Sequence, residues 1–223
     1  MRDVLIAICP YAIWGIVAAE LLIAFLLLRL KKQPAAICTL LVTLGLILDA
    51  AIIGLGSVLQ ETVLAAISPA RFIAHGFLIP LIFPICGYAL DLKKPAMTVI
   101  WALTGLLMIA GVAEGIATVL EPKSIAGVVR FASSAQTPAW ADAISRILSF
   151  GTVIPMMIVG IIVWIRKKTP YLFLSGLLMF VFSALGPATG NSDLIFFISM
   201  FGEVLMVLFL YLFCKKVAAG NAG

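Results

Sequence analysis

The chain has 223 residues, of which 64% are apolar and 11% charged; 15 Lys and Arg against 10 Asp and Glu give a net charge of +5. A soluble domain carries about 45–50% apolar and about 25% charged residues, so this composition excludes a water-soluble globule, a disordered chain and a disulfide-stapled secreted module. What remains is an integral membrane protein, whose basic excess needs no nucleic-acid partner.

A transmembrane helix requires about 20 mostly apolar residues. In chain order such runs fall at 4–30, 35–59, 71–92, 96–119, 143–165, 170–188 and 194–214. They are continuously apolar, whereas barrel strands alternate. The expected fold is an all-α integral membrane protein, a single seven-helix transmembrane domain over residues 1–223. The first run exceeds a signal h-region and contains Glu20, so it reads as a retained span; no CaaX box is present. The sixth run closes on Gly186-Pro187-Ala188-Thr189-Gly190-Asn191, a turn pattern.

Ten basic residues mark alternate ends of the spans: Arg29, Lys31 and Lys32; Lys93 and Lys94; Arg166, Lys167 and Lys168; Lys215 and Lys216. Lys and Arg concentrate on the cytoplasmic side, which predicts the N-terminus outside and the C-terminus inside. The expected location is a multi-pass position in the plasma (cytoplasmic) membrane. Proline follows three of the basic turns, at Pro34, Pro95 and Pro170; its fixed φ stops one helix and suits the first turn of the next. Spans 1–3 and 5–7 share one layout, suggesting a three-plus-one-plus-three parallel repeat with span 4 as connector.

In topology alone this layout resembles the small parallel-repeat sugar transporters and, more loosely, the microbial rhodopsins. Span 7 has no buried lysine for a retinal Schiff base, since Lys215 and Lys216 lie at its inner end. The long connection at about residues 120–142 holds Phe131 and Trp140, which suit an interfacial helix, a lid or a solvated loop. Cys9, Cys38, Cys86 and Cys214 fall within spans and read as free apolar side chains.

Ionisable residues at membrane depth carry most of the functional information, because a charge there costs at least ~2.5–3.5 kcal/mol. They are Glu20, Asp49, Arg71, His75, Glu114, Arg146 and Glu203. At ~1.5 Å per residue from the inner turns, Glu20 and Glu203 lie about 15 Å deep, Asp49 about 22 Å, His75 about 25 Å, Glu114 and Arg146 about 28 Å and Arg71 about 32 Å. Arg71 and His75, four apart, share a helix face. Gly45, Asp49 and Gly56 share another, and Gly111 and Gly115 bracket Glu114; small residues at these spacings predict packed, inward faces. Ser145, Ser149 and Thr152 line one side of span 5 beside Arg146. Pro80, Pro84 and Pro155 free backbone carbonyls that bend a helix or line a cavity.

The pattern predicts an outward-facing polar pocket ringed by spans 2–5, with Arg71 and Arg146 balancing Asp49 and Glu114 above a Glu20–Glu203 pair. The plainer alternatives are arginines snorkelling to head groups, a structural histidine, a Glu114–Arg146 helix lock and protonated, hydrogen-bonded glutamates. Three functions stay open. One is a transporter or ligand-binding protein for a small polar or amphipathic solute, with a coupling proton on Asp49, His75 or the glutamate pair. Another is an intramembrane enzyme acting on a lipid-like substrate, using acid–base chemistry or one metal ion on Asp49, His75 and Glu114. The stretch Gly45-Leu46-Ile47-Leu48-Asp49, with His75 one helix later, resembles the lysoplasmalogenase-type membrane hydrolases over two helices. Its counterpart in span 6, Phe182-Ser183-Ala184-Leu185, lacks the expected acid. The third is a sensor or assembly subunit without chemistry. No cofactor is expected, and no Walker, GxGxxG, HExxH or GxSxG motif occurs. The expected partners are the lipid bilayer and a small-molecule or lipid ligand, with a second copy or a partner membrane protein as further candidates.

Overall fold

The structure is a computed structural model. It describes the backbone of residues 2–125, 127–188 and 192–220, and the side chains of residues 7–125, 127–184 and 198–219. The elements are α1 (Arg2–Leu28), α2 (Pro34–Leu55), α3 (Glu61–Ile67), α4 (Pro69–Leu78), a 3-10 turn (Ile79–Leu81), α5 (Ile82–Ala89) and α6 (Lys94–Ala117). After these come β1 (Leu120–Ile125), β2 (Val128–Ser133), α7 (Ala139–Lys167), α8 (Tyr171–Ala188) and α9 (Ser192–Gly220).

Among the described residues, six helices are long and apolar enough to cross a membrane: 7–28, 34–55, 61–89, 94–117, 139–167 and 198–219. The apolar composition and these helices make the chain a multi-span membrane protein. α8 adds a shorter apolar stretch, 171–184. The third span starts at Glu61, ten residues before the expected boundary. The Gln60-Glu61 pair looks like loop, yet α3 forms because Leu64 packs with Ile52 and Phe131. Pro69 then restarts the chain as α4. The turn expected at Gly186–Asn191 is helical through Ala188; residues 189–191 of that expectation lie outside the described residues.

The bundle is helical as expected, and one connection departs from its expected form. Residues 120–133, where an interfacial helix, lid or loop was expected, form an antiparallel hairpin with Leu120 opposite Ser133 and Ile125 opposite Val128. Gly127 makes the turn at φ 79°, a conformation that favours a residue without Cβ. Val128-Val129-Arg130-Phe131 supplies the β-branched and aromatic residues that suit a half-buried strand. Ile125, Val128 and Phe131 are buried.

The helices close into a ring. α1 packs on α2, α2 on α4 and α5, α4 on α6, α6 on α7, α7 on α8, α8 on α9, and α9 returns to α1. Proline opens α2 and α6, as the basic turns predicted. One core fills the basic end, including Leu27, Leu46, Ile82, Ile85, Met156, Leu172 and Phe213. A second joins Cys9, Ile13 and Ile16 of α1 to Ile53, Met200 and the hairpin residues Ile125 and Val128. All four cysteines are buried and none is in a disulfide. At the basic end Asp91 meets Lys167 at 2.6 Å.

Helix α7 ends on Lys168 at φ 53° and ψ 34°, a left-handed conformation that costs an L-residue about 1–2 kcal/mol. Lys168→Gly is therefore expected to raise stability by about 1 kcal/mol, read as a higher thermal midpoint in detergent.

Candidate functional site

The hairpin end of the bundle holds a polar cavity of about 220 Å³. Helix α2 contributes Asp49 and Ile53, α4 contributes Arg71, Phe72 and His75, and α6 contributes Glu114. Arg130 comes from β2, Ser145, Leu148 and Ser149 from α7, and Ser199, Met200 and Glu203 from α9.

Its organising contact is the Arg71–Asp49 pair. Arg71 Nε donates to Asp49 Oδ1 at 2.9 Å and Nη2 reaches Oδ2 at 3.4 Å. Nη1 donates to the Phe131 carbonyl of the hairpin at 3.1 Å. The two side chains are only 8% and 16% exposed, so Arg71 is a buried clasp between α2, α4 and β2, not a snorkelling residue. A forked guanidinium suits a carboxylate bidentately.

Close helix crossings set the cavity walls. Gly76 and Gly111 meet backbone to backbone where α4 crosses α6, and Gly115 approaches Phe72 and Ile73. This crossing carries His75 and Glu114 to the same cavity, as the GxxxG spacing suggested. The Thr118 hydroxyl lies 2.9 Å from the Glu114 carbonyl and 3.3 Å from its Oε1. Gly45 packs under Leu78, and Gly56 receives the hairpin, its carbonyl accepting from Val129 N–H at 3.2 Å.

Five of the seven residues singled out in the sequence line the cavity: Asp49, Arg71, His75, Glu114 and Glu203. Arg146 does not. It pairs with Asp142 one helical turn away at 3.0 Å and is 75% exposed, so the expected Glu114–Arg146 balance is replaced by a local surface pair. Glu20 is also outside the lining. It is fully buried, and neither carboxyl oxygen has a hydrogen-bond partner among the described residues. It lies near enough to Asp49 and Glu203 for their charges to interact.

Arg130 is the charged cavity residue that the sequence pattern did not single out. It stands in the stretch expected as an interfacial helix, a lid or a solvated loop; the Val-Val-x-Phe pattern around it, after a Gly turn, is the available signal. Burial lowers its guanidinium to about 10, which leaves it protonated at neutral pH.

No protein-family model matches this chain, and no curated protein matches it. Asp49, His75 and Glu114 face one cavity, yet among the described residues no three His, Cys, Asp or Glu side chains are gathered to hold a metal ion. The metal set considered from sequence is not assembled.

A second cavity of about 360 Å³ adjoins the first and shares His75, Ser149, Ser199 and Glu203 with it. The rest of its wall is mostly apolar, with Leu46, Ile79, Ile82, Val153, Met179 and Met206 among the residues facing it.

Proposed function

We propose that the chain is a seven-helix transporter or ligand-binding protein of the plasma membrane, taking a small polar or amphipathic solute into the cavity at its hairpin end. In this reading α8 is the seventh span. The N-terminus and hairpin face outward and the basic turns face the cytoplasm, following the distribution of Lys and Arg. Spans 1–3 and 5–7 form the parallel halves of one domain.

The observation that carries the reading is the space of about 220 Å³ kept open among Asp49, Arg71, His75, Glu114, Arg130 and Glu203. Buried polar groups are expensive unless paired, and a purely structural network would close upon itself. Here the Arg71–Asp49 clasp is satisfied internally, while Glu114, His75 and Glu203 border empty volume where a solute can meet them. Glu20 and Glu203, with Asp49, offer carboxyl groups deep in the bundle for a coupling proton.

Native mass spectrometry in mild detergent tests this. The wild-type chain is expected to carry a small-molecule adduct that Asp49→Asn loses. In parallel, Ser145→Cys on the cavity wall is expected to react with a membrane-impermeant thiol reagent from the outside, where the four buried native cysteines stay silent. An adduct-free chain whose Ser145→Cys form reacts from neither face would sink the reading.

A further inference from the structure

We infer that the ligand is a single-chain amphiphilic amine, its ammonium head at the wall shared by the two cavities and its alkyl chain in the apolar one, entering sideways from the bilayer. The inference rests on the ligand-binding reading above and assigns the ligand's chemical class.

The wall shared by the two cavities is formed by His75, Ser149, Ser199 and Glu203 and carries no arginine or lysine. On that wall Ser149 Oγ donates its proton to the Ser145 carbonyl at 2.9 Å, and beside it, facing the apolar cavity alone, Thr152 Oγ1 donates to the Leu148 carbonyl at 2.7 Å. Each hydroxyl has one hydrogen, so only lone pairs remain toward the cavities. Glu203 stands beside them with a carboxyl group. Neither cavity arginine reaches this wall: Arg71 is held by Asp49 and the Phe131 carbonyl, and both Arg71 and Arg130 border the polar cavity alone. A head group that donates several hydrogen bonds and carries positive charge complements this wall; a carboxylate or phosphate head does not.

The second cavity fits the rest of such a molecule. At about 360 Å³ it lies within the ~300–1,000 Å³ range of ligand sites, and its walls are predominantly apolar. Phe150 of α7 and Phe180 of α8 line it while being 56% and 39% exposed on the bundle exterior. The cavity thus reaches the lipid-facing surface between these helices. The cause is visible along the α7–α8 pair. Gly160 packs against Phe173, and Gly176 against Met157, holding the helices together toward the basic end. No such glycine contact joins the levels of Phe150 and Phe180 among the described residues, and there the space opens.

Binding to the full chain in phosphatidylcholine nanodiscs tests the inference, with empty nanodiscs as baseline. The probes are dodecylamine, dodecanoate and butylamine, compared at equal mole fraction in the bilayer. Dodecylamine is expected to saturate at one per chain and to bind at least tenfold more tightly than dodecanoate. Glu203→Gln is expected to weaken it tenfold or more. Ser183→Phe and, as a second block on the other helix, Val153→Phe are expected to weaken dodecylamine tenfold and leave butylamine unchanged. Equal binding of dodecanoate overturns the head-group assignment. Butylamine binding as tightly as dodecylamine, whatever stands at residues 153 and 183, overturns the alkyl-chain assignment and leaves a polar-solute site. Absence of binding by every probe overturns the inference; if Ser145→Cys still reacts from outside, the cavity reading survives, and if it does not, both fall.

Discussion

Replacing Arg71 with alanine is expected to lower unfolding stability in detergent by about 3–5 kcal/mol, the cost of stranding a buried charge. Three consequences add up. Asp49 loses both guanidinium contacts in a site where it is 16% exposed. The Phe131 carbonyl loses its donor. The α2–α4 contact loses its polar lock. Arg71→Lys is expected to recover part of this, because a single ammonium cannot reproduce a forked contact and reach the hairpin as well. The double variant Asp49→Ala/Arg71→Ala is expected to be less destabilised than Arg71→Ala alone, since it strands no charge. A double-mutant cycle on the thermal midpoints checks this. Additive losses would mean the two side chains are independent, and the clasp would then not organise the cavity.

Gly76→Val is expected to cost about 3 kcal/mol, the upper end of overpacking penalties. A Cβ on Gly76 would overlap the Gly111 backbone, which cannot rotate away as a side chain can. The helices α4 and α6 would have to separate, carrying His75 away from Glu114. The loss should therefore appear twice, as a lower thermal midpoint and as weaker ligand binding or altered Ser145→Cys reactivity. Gly105→Val provides the control. It lies on the same helix as Gly111, but nothing stands within 4 Å of an added Cβ, so a change of a few tenths of a kcal/mol is expected there.

The helical spans were legible in the sequence because in lipid an apolar run long enough to cross must satisfy its backbone internally, and helix is the local way to do so. Within the spans, glycine spacing signalled which faces pack, and this brought Asp49, His75 and Glu114 to one cavity. Arg146 shows where depth counting fails. Depth ranks residues along a helix but leaves the azimuth open, and Asp142, one turn earlier on the same exposed face, offered a nearer partner than Glu114. Arg130 and the hairpin were hidden for a different reason. Strand pairing is non-local, so Val128-Val129-Arg130-Phe131 declares itself only with Leu120–Ile125 beside it and with Arg71 and Gly56 below to receive it. Helix α3 was missed because its seven residues depend on a tertiary contact at Leu64 more than on their own pattern.

The hairpin makes its principal contacts with α1, α2, α3 and α9, and it is tied by hydrogen bonds to Gly56 and Arg71. The opposite flank, where Phe150 and Phe180 border the apolar cavity, has no such tie among the described residues. That flank is held instead by packing, where Gly202 of α9 lies against Phe182 and Met179 of α8. The two flanks are thus joined by different means, one by polar ties from a strand and the other by a glycine of α9 that lets an aromatic helix lie close against it.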